Sequence, residues 1–217
     1  MYRSRALAVL VPSLLAAVLG SGAPAASAAG SGDGGPVPHC LNPEGDDLNA
    51  LYHVKQRIIG PPACRETFEK AQWVRSAPDW VTAADGASAV YPEGYEPLRI
   101  DPIDDFDHKF VSATYVHDIG TPQEKSFTYK RKQVLRTGSV GPDGLPFTAL
   151  ISPPFKALSV GEHTTTVFIT LDAEHCDGLG TVREENCLPA GSSVFSDTSF
   201  EVVSRPRHDG DHDPDKS

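Results

Sequence analysis

Hydrophobic and polar positions alternate most clearly near the end of the chain. From Thr164 to Leu171, β-branched or apolar residues recur at every second place (Thr165, Val167, Ile169, Leu171). This is the period of a strand with one face buried. Thr166 and Thr170 then fall on the opposite face, and Phe168 shares their parity as the one apolar residue pointing outward. A second run, Ser193 to Val203, repeats the pattern with Val194, Ser196, Thr198, Phe200 and Val202 on one side. Between the two runs lies a loop bounded by Cys176 and Cys187.

Upstream, Phe110 to His117 alternates in the same way, and Gly120-Thr121-Pro122-Gln123 reads as a turn. Ser126 to Arg131 follows with Phe127 and Tyr129 inward, completing a hairpin that Val134-Leu135 continues. Gly138 to Gly144 reads as a loop, and Leu145 to Ile151 as a short strand stopped by Pro153-Pro154. Strands this closely spaced, without interleaved helices, predict a mainly β fold, an antiparallel β-sandwich. Nearer the start, Asp46 or Asp47 caps a short helix carrying Leu48, Leu51 and Tyr52, and Gly60-Pro61-Pro62 ends it. Arg65 to Val74 is compatible with a helical turn or a strand.

The first 28 residues form a separate unit. Arg3 and Arg5 precede an apolar run from Ala6 to Leu19, and Ala26-Ser27-Ala28 supplies a small-residue cleavage site. Together these predict a secretory signal peptide, and hence a secreted, extracellular protein with no membrane insertion after cleavage. The expected organisation is signal peptide 1–28, flexible leader 29–38, Cys-stapled N-terminal segment 39–98, β-sandwich domain 99–203 and acidic tail 204–217. Loss of Arg3 and Arg5, with no acid among residues 1–28, takes the net charge from −10 to −12. A chain this acidic, with no basic stripe, repels nucleic acid, which is excluded as a partner.

Four cysteines, Cys40, Cys64, Cys176 and Cys187, allow three pairings in an exported chain. Local loop closure favours Cys40–Cys64 and Cys176–Cys187, each stabilising by roughly 3 kcal/mol in the chain-entropy picture. Neither pair has the spacing of a zinc knuckle.

Leu158-Ser159-Val160-Gly161-Glu162-His163-Thr164 resembles the opening of the late hairpin in bacterial immunoglobulin-like domains. With His175-Cys176-Asp177-Gly178-Leu179-Gly180 and Cys187-Leu188-Pro189-Ala190-Gly191, the chain looks like secreted proteins of unknown function from high-GC Gram-positive bacteria. The resemblance covers about residues 100–203. It implies an immunoglobulin-like β-sandwich and an extracellular setting, and it brings no catalytic residue.

Candidate chemistry is sparse. Asp209, Asp211, Asp213 and Asp215 alternate as calcium-loop ligands do, with His208 and His212 among them, but the mid-loop glycine and closing glutamate are missing, so the stretch reads as a solvated tail. Asp101, Asp104, Asp105 and Asp107 cluster before a strand and read as capping beside a surface patch. His163, Asp172 and His175 are zinc-ligand types, but an extended strand keeps the two histidines apart. No G-x-S-x-G elbow occurs. These readings assign no catalytic residue, metal or cofactor. The candidate binding residues are Trp73, Trp80, Phe168 and Asp177, the last inside the stapled loop. They point to a non-enzymatic binding or surface-associated module whose partner is an extracellular protein or glycan. The alternatives are an extracellular hydrolase or metal-dependent enzyme built on Asp101–Asp107 or His163/His175, and a protease inhibitor displaying the Cys176–Cys187 loop.

Overall fold

A computed structural model describes residues 39–42, 45–61 and 63–205. The expected signal peptide, the leader and all but two residues of the expected tail lie outside the described residues. In chain order the elements are α1 (Leu48–Leu51), β1 (Arg57–Ile59), β2 (Glu66–Phe68), β3 (Trp73–Arg75), β4 (Trp80–Val81), α2 (Pro102–Lys109), β5 (Phe110–His117) and β6 (Lys125–Lys130). They continue with α3 (Arg131–Val134), β7 (Leu135–Val140), β8 (Pro146–Leu150), β9 (Gly161–Leu171), β10 (His175–Cys176), α4 (Arg183–Asn186), β11 (Cys187–Leu188) and β12 (Gly191–Val203). The fold is mainly β.

The β9 strand is the centre of a five-stranded sheet ordered β2-β12-β9-β5-β6. Its β-branched residues suit a pleated surface paired on both edges. Thr165, Val167, Ile169 and Leu171 are buried, as the alternation predicts. Across the core, Trp73 of β3, Leu150 of β8 and Val134 of α3 join Phe106, Phe110, Tyr115, Phe155 and Phe200 in one cluster. A second, smaller cluster sits beneath α1, where Leu48, Tyr52, Ile58, Val74, Phe147 and Ile151 surround Cys40. The β3 strand serves both clusters, since Trp73 and Arg75 point one way and Val74 the other. The disulfides are Cys40–Cys64 and Cys176–Cys187, the pairing expected from local closure.

Several expectations change. The sheets are mixed and curled rather than purely antiparallel: β2 runs parallel to β12, and β1 parallel to β3. The expected boundary at residue 98/99 does not separate two bodies. Both β2 and β4, from the N-terminal segment, are strands of the two larger sheets, and Trp73 is in the main core. Along β12 the parity breaks at a β-bulge between Val194 and Ser196. An extra residue reverses the side-chain alternation, so Val194 is 62% exposed while Ser196, Thr198, Phe200 and Val202 remain inside. Residues 138–140, read as loop, extend β7 past another bulge.

The acidic cluster Asp101–Asp107 builds α2. Asp101 occupies the N-cap position, Pro102 the first turn, Asp104 and Asp105 follow, and His108 and Lys109 end the helix. Proline at the start, acids in the first turn and bases in the last match the helix dipole. Phe106 is fully buried against the main core.

Ile169→Ala removes a fully buried branch and is expected to cost about 2–5 kcal/mol, whereas Thr170→Ala costs within ~0.5 kcal/mol. Denaturant melts that reversed this order would place the register one residue off. Val194→Ser, on the exposed side of the bulge, is expected to be milder than Phe195→Ser.

Candidate functional site

The four residues proposed for binding from sequence do not converge. Trp73 is fully buried: its ring packs on His117, Phe155 and Phe200, and its indole N–H donates to the Lys156 carbonyl at 3.2 Å. Trp80 is half-buried, stacked on Phe106 and edge-on to His175. The two tryptophans therefore act as wedges inside the fold, not as an open aromatic platform. Phe168, on the opposite face of the five-stranded sheet, is half-buried opposite Thr114 and Val194, and so lies under neither tryptophan. Asp177 is buried, and its carboxylate accepts from the Leu179 N–H at 2.8 Å to shape the stapled loop.

That loop is tied to the body. Ala83 and Val90 donate backbone hydrogen bonds to the carbonyls of Asp177 and Gly178, both at 2.8 Å. Gly178 has φ +79, and a Cβ there would meet Ala89 at 2.9 Å, so this close crossing requires glycine. Residues 183–186 of the loop are helical. Glu174, Cys176 and Cys187 offer atoms within 4.8 Å of one another, but both sulfurs are bonded to each other and hold no thiolate for a metal.

The histidines and acids considered as catalytic or metal residues form two separate buried pairs. At the start of β9, His163 Nδ1 meets Asp118 Oδ2 at 2.8 Å and Nε2 meets the Ser159 carbonyl at 2.9 Å. Asp118 also accepts from the Thr164 N–H at 3.0 Å. Beyond the far end of β9, His175 Nδ1 meets Asp105 Oδ2 at 2.9 Å. The two histidines are thus held at opposite ends of one strand.

Asp105 is a hub. Its Oδ2 also accepts from Lys109 Nζ at 2.7 Å and the Tyr95 hydroxyl at 2.8 Å, and its Oδ1 from the Leu98 and Arg99 N–H groups at 2.7 and 3.0 Å. Burial alone would raise the carboxyl pKa. The bonds from His175, Lys109 and Tyr95 outweigh it and hold the group well below the usual range. The His175 pKa is also lowered, here because burial penalises its cation more than Asp105 favours it. The hub is therefore a carboxylate–ammonium pair with a neutral imidazole. Asp105 reads as an architectural acid.

A second buried charge is held by hydroxyl groups, with no ion pair among the described residues. Arg75 Nη2 donates to Ser196 Oγ at 2.7 Å and Thr198 Oγ1 at 2.9 Å, and its pKa is lowered to about 10 by burial. Gly60 makes room for it: at φ +132, a Cβ would stand 1.9 Å from Arg75 Nη1.

Open space occurs where sequence reasoning named no site. A cleft of about 620 Å³ lies between α1 and the β4-β8-β7 sheet. Leu48, Tyr52, Val81 and Phe147 form its apolar wall, with Leu51 and Val140 at the rim. Asp46, Asp79 and Asp143 also line it. Asp46 is tied to Asn42 at 2.9 Å and Asp143 to the Leu145 N–H at 3.1 Å. Asp79 has only the Tyr52 hydroxyl, 3.4 Å from either oxygen, among the described residues. Burial pushes its pKa up to about 6. Pro78-Asp79 between two tryptophans was the available sequence signal, read only for its aromatics.

Removing the hub carboxylate leaves an ammonium buried without its counter-ion. Asp105→Ala is expected to cost about 3–5 kcal/mol in denaturant melts. The buried histidines should make the protein sensitive to acid above the ordinary carboxylate range. His117, whose pKa burial lowers to about 4, and His175 both sit below the unfolded value, so the unfolded chain takes up protons first. Their stabilisation is whole above about pH 6.5 and is lost as pH falls, for His117 down to about 4. Asp79 contributes with the opposite sign, its ionisation cost declining as pH falls below about 6 and gone near the unfolded value of 3.8. A His117→Gln variant is expected to show a shallower fall of melting temperature between those limits than the natural chain.

Comparison of the chain with family models, with curated proteins and with solved structures finds no match.

Proposed function

We propose that the protein is a secreted, non-enzymatic binding module on an immunoglobulin-like β-sandwich frame, which takes a lysine or arginine side chain of an extracellular protein into the cleft beneath α1. The observation that carries this reading is Asp79, a carboxylate without a cationic partner among the described residues, set in a mainly apolar cleft of about 620 Å³. Ligand sites have this size and this make-up, an apolar lining with a few placed polar groups. The aliphatic stem of a lysine or arginine matches Leu48, Tyr52, Val81 and Phe147, and its charged head matches Asp79.

Export is supported by the N-terminal pattern of Arg3, Arg5, Ala6–Leu19 and Ala26-Ser27-Ala28. Two disulfides fit an oxidising setting. No helix among the described residues is long and apolar enough to cross a membrane. The sandwich reading is supported by two multi-stranded sheets sharing one aromatic core, although β2 adds a parallel strand. A protein partner is favoured over a glycan because Trp73 and Trp80 are engaged inside the fold, while the cleft carries acids. The inhibitor reading needs the Cys176–Cys187 loop to offer an extended segment, and residues 183–186 coil instead.

Acetylated tetrapeptides with a central lysine, arginine or norleucine, titrated by calorimetry, test the proposal. The cationic peptides are expected to bind at least about tenfold more tightly than the norleucine peptide. Affinity should fall as pH drops through about 6, where Asp79 takes up a proton. Asp79→Asn should abolish the preference and at the same time stabilise the free protein near neutral pH by roughly 1–3 kcal/mol, because an ionised, poorly paired carboxylate is removed. Equal binding of norleucine, or a destabilised Asp79→Asn, would make Asp79 a structural residue.

A further inference from the structure

A second cavity, of about 410 Å³, lies at the opposite charge extreme. It is formed where the β5–β6 hairpin meets the segment 154–158. Phe127, Tyr129, Phe155 and Leu158 wall it, and Lys125 and Lys156 stand at its exposed edge. His117 forms part of its floor.

Three features distinguish this place from a crevice left by imperfect packing. First, His117 is only 1% exposed, and its Nε2 has no hydrogen-bond partner among the described residues. Buried polar atoms are normally paired, and an exception in a cavity wall asks for a partner. Second, Lys125 is the direct cross-strand partner of His117, so both side chains leave the sheet on the same face and converge. Third, neither Lys125 nor Lys156 is in an ion pair among the described residues, in a chain whose net charge is −10. Two free ammonium groups beside an aromatic box are complementary to an anion with an apolar body.

We infer that this cavity is a binding site for a small organic carboxylate with an aryl or alkyl body. The body lies against Phe127, Phe155 and Leu158, and the carboxylate faces Lys125, Lys156 and the His117 imidazole. The volume is at the lower end of ligand sites and suits one ring with a short chain, not a folded partner. Charged groups around His117 include Asp118 and His163, Lys125 and Arg75. Asp118 is held by His163 and the Thr164 N–H, which leaves the lysines as the charges the cavity presents.

The experiment is an NMR titration of the isotope-labelled protein near neutral pH with 3-phenylpropionate and with octanoate. 3-Phenylpropionamide and phenethylamine serve as neutral and cationic counterparts. Saturable shifts of the His117, Phe127 and Phe155 resonances are expected with at least one carboxylate. The amide should bind at least about tenfold more weakly. A Lys125→Gln/Lys156→Gln variant, altered only at exposed positions and checked for an unchanged melting temperature, should lose a similar factor, while Asp79→Asn should bind as the natural chain does. No saturable shift with either carboxylate, equal affinity for the amide, or an unaffected lysine variant would each overturn the assignment. In those cases Lys125 guards the free edge of β6 against pairing, as inward-facing charges on edge strands do.

Discussion

The carboxylate of Asp105 is the constraint on which much of the molecule rests. It lies in the first turn of α2 and gathers five donors, from Tyr95, Leu98, Arg99, Lys109 and His175. Those donors come from the irregular segment before the helix, from the helix itself and from the strand that opens the stapled loop. A buried carboxylate with all its lone pairs engaged is specific in a way apolar contacts are not, because each lost donor leaves a charge unsatisfied. The 95–99 segment, which has no regular hydrogen bonding, is fixed by this group. The stapled loop is then closed locally by Cys176–Cys187 and by its backbone bonds to Ala83 and Val90.

Arg75 plays a comparable part on the other side of the core. Its guanidinium joins β3 to the interior face of β12 through Ser196 and Thr198, and Gly60 is shaped around it. Past the bulge at Val194/Ser196, those two hydroxyls share the inward face of β12 with Phe200 and Val202. The polar residues that weaken the apolar alternation of β12 are thus the ones that receive a buried cation.

Charges that the fold satisfies internally and charges that it leaves open are separated in space. Asp105, Lys109, His175, Asp118 and His163 are engaged with one another and are architectural. Asp79 in one cleft, and Lys125 and Lys156 at the other, have no counter-ion among the described residues and lie beside apolar walls. Recognition on a rigid sheet framework is commonly carried by such positions at element ends and loops. Both clefts lie at the margins of sheets.

Strand alternation made β5, β6, β8 and β9 legible from sequence, because a period of two along a half-buried strand is written in consecutive residues. The Asp47 helix cap and the two disulfides were legible for the same reason, their partners being close in the chain, although the helix ends at Leu51, short of Gly60, and residues 57–59 form β1 instead. What involves distant partners was not. The parallel pairing of β2 with β12 joins residues 66–68 to 201–203, and no local pattern marks it. The acids at Asp101–Asp107 signal a helix start locally, yet only the fold decides that Asp105 turns inward to His175 while Asp101 and Asp104 stay exposed. Whether Trp73 and Trp80 meet a ligand or pin their segment onto the sheet was not legible, because composition cannot say which face of a segment is covered. Sequence by itself determined the mainly β class, the faces of β5, β6 and β9 and the staples, all of which follow from short-range periodicity and loop closure. The sites were decided by tertiary structure, since a cleft is an absence of neighbours and exists only once every distant element has taken its place.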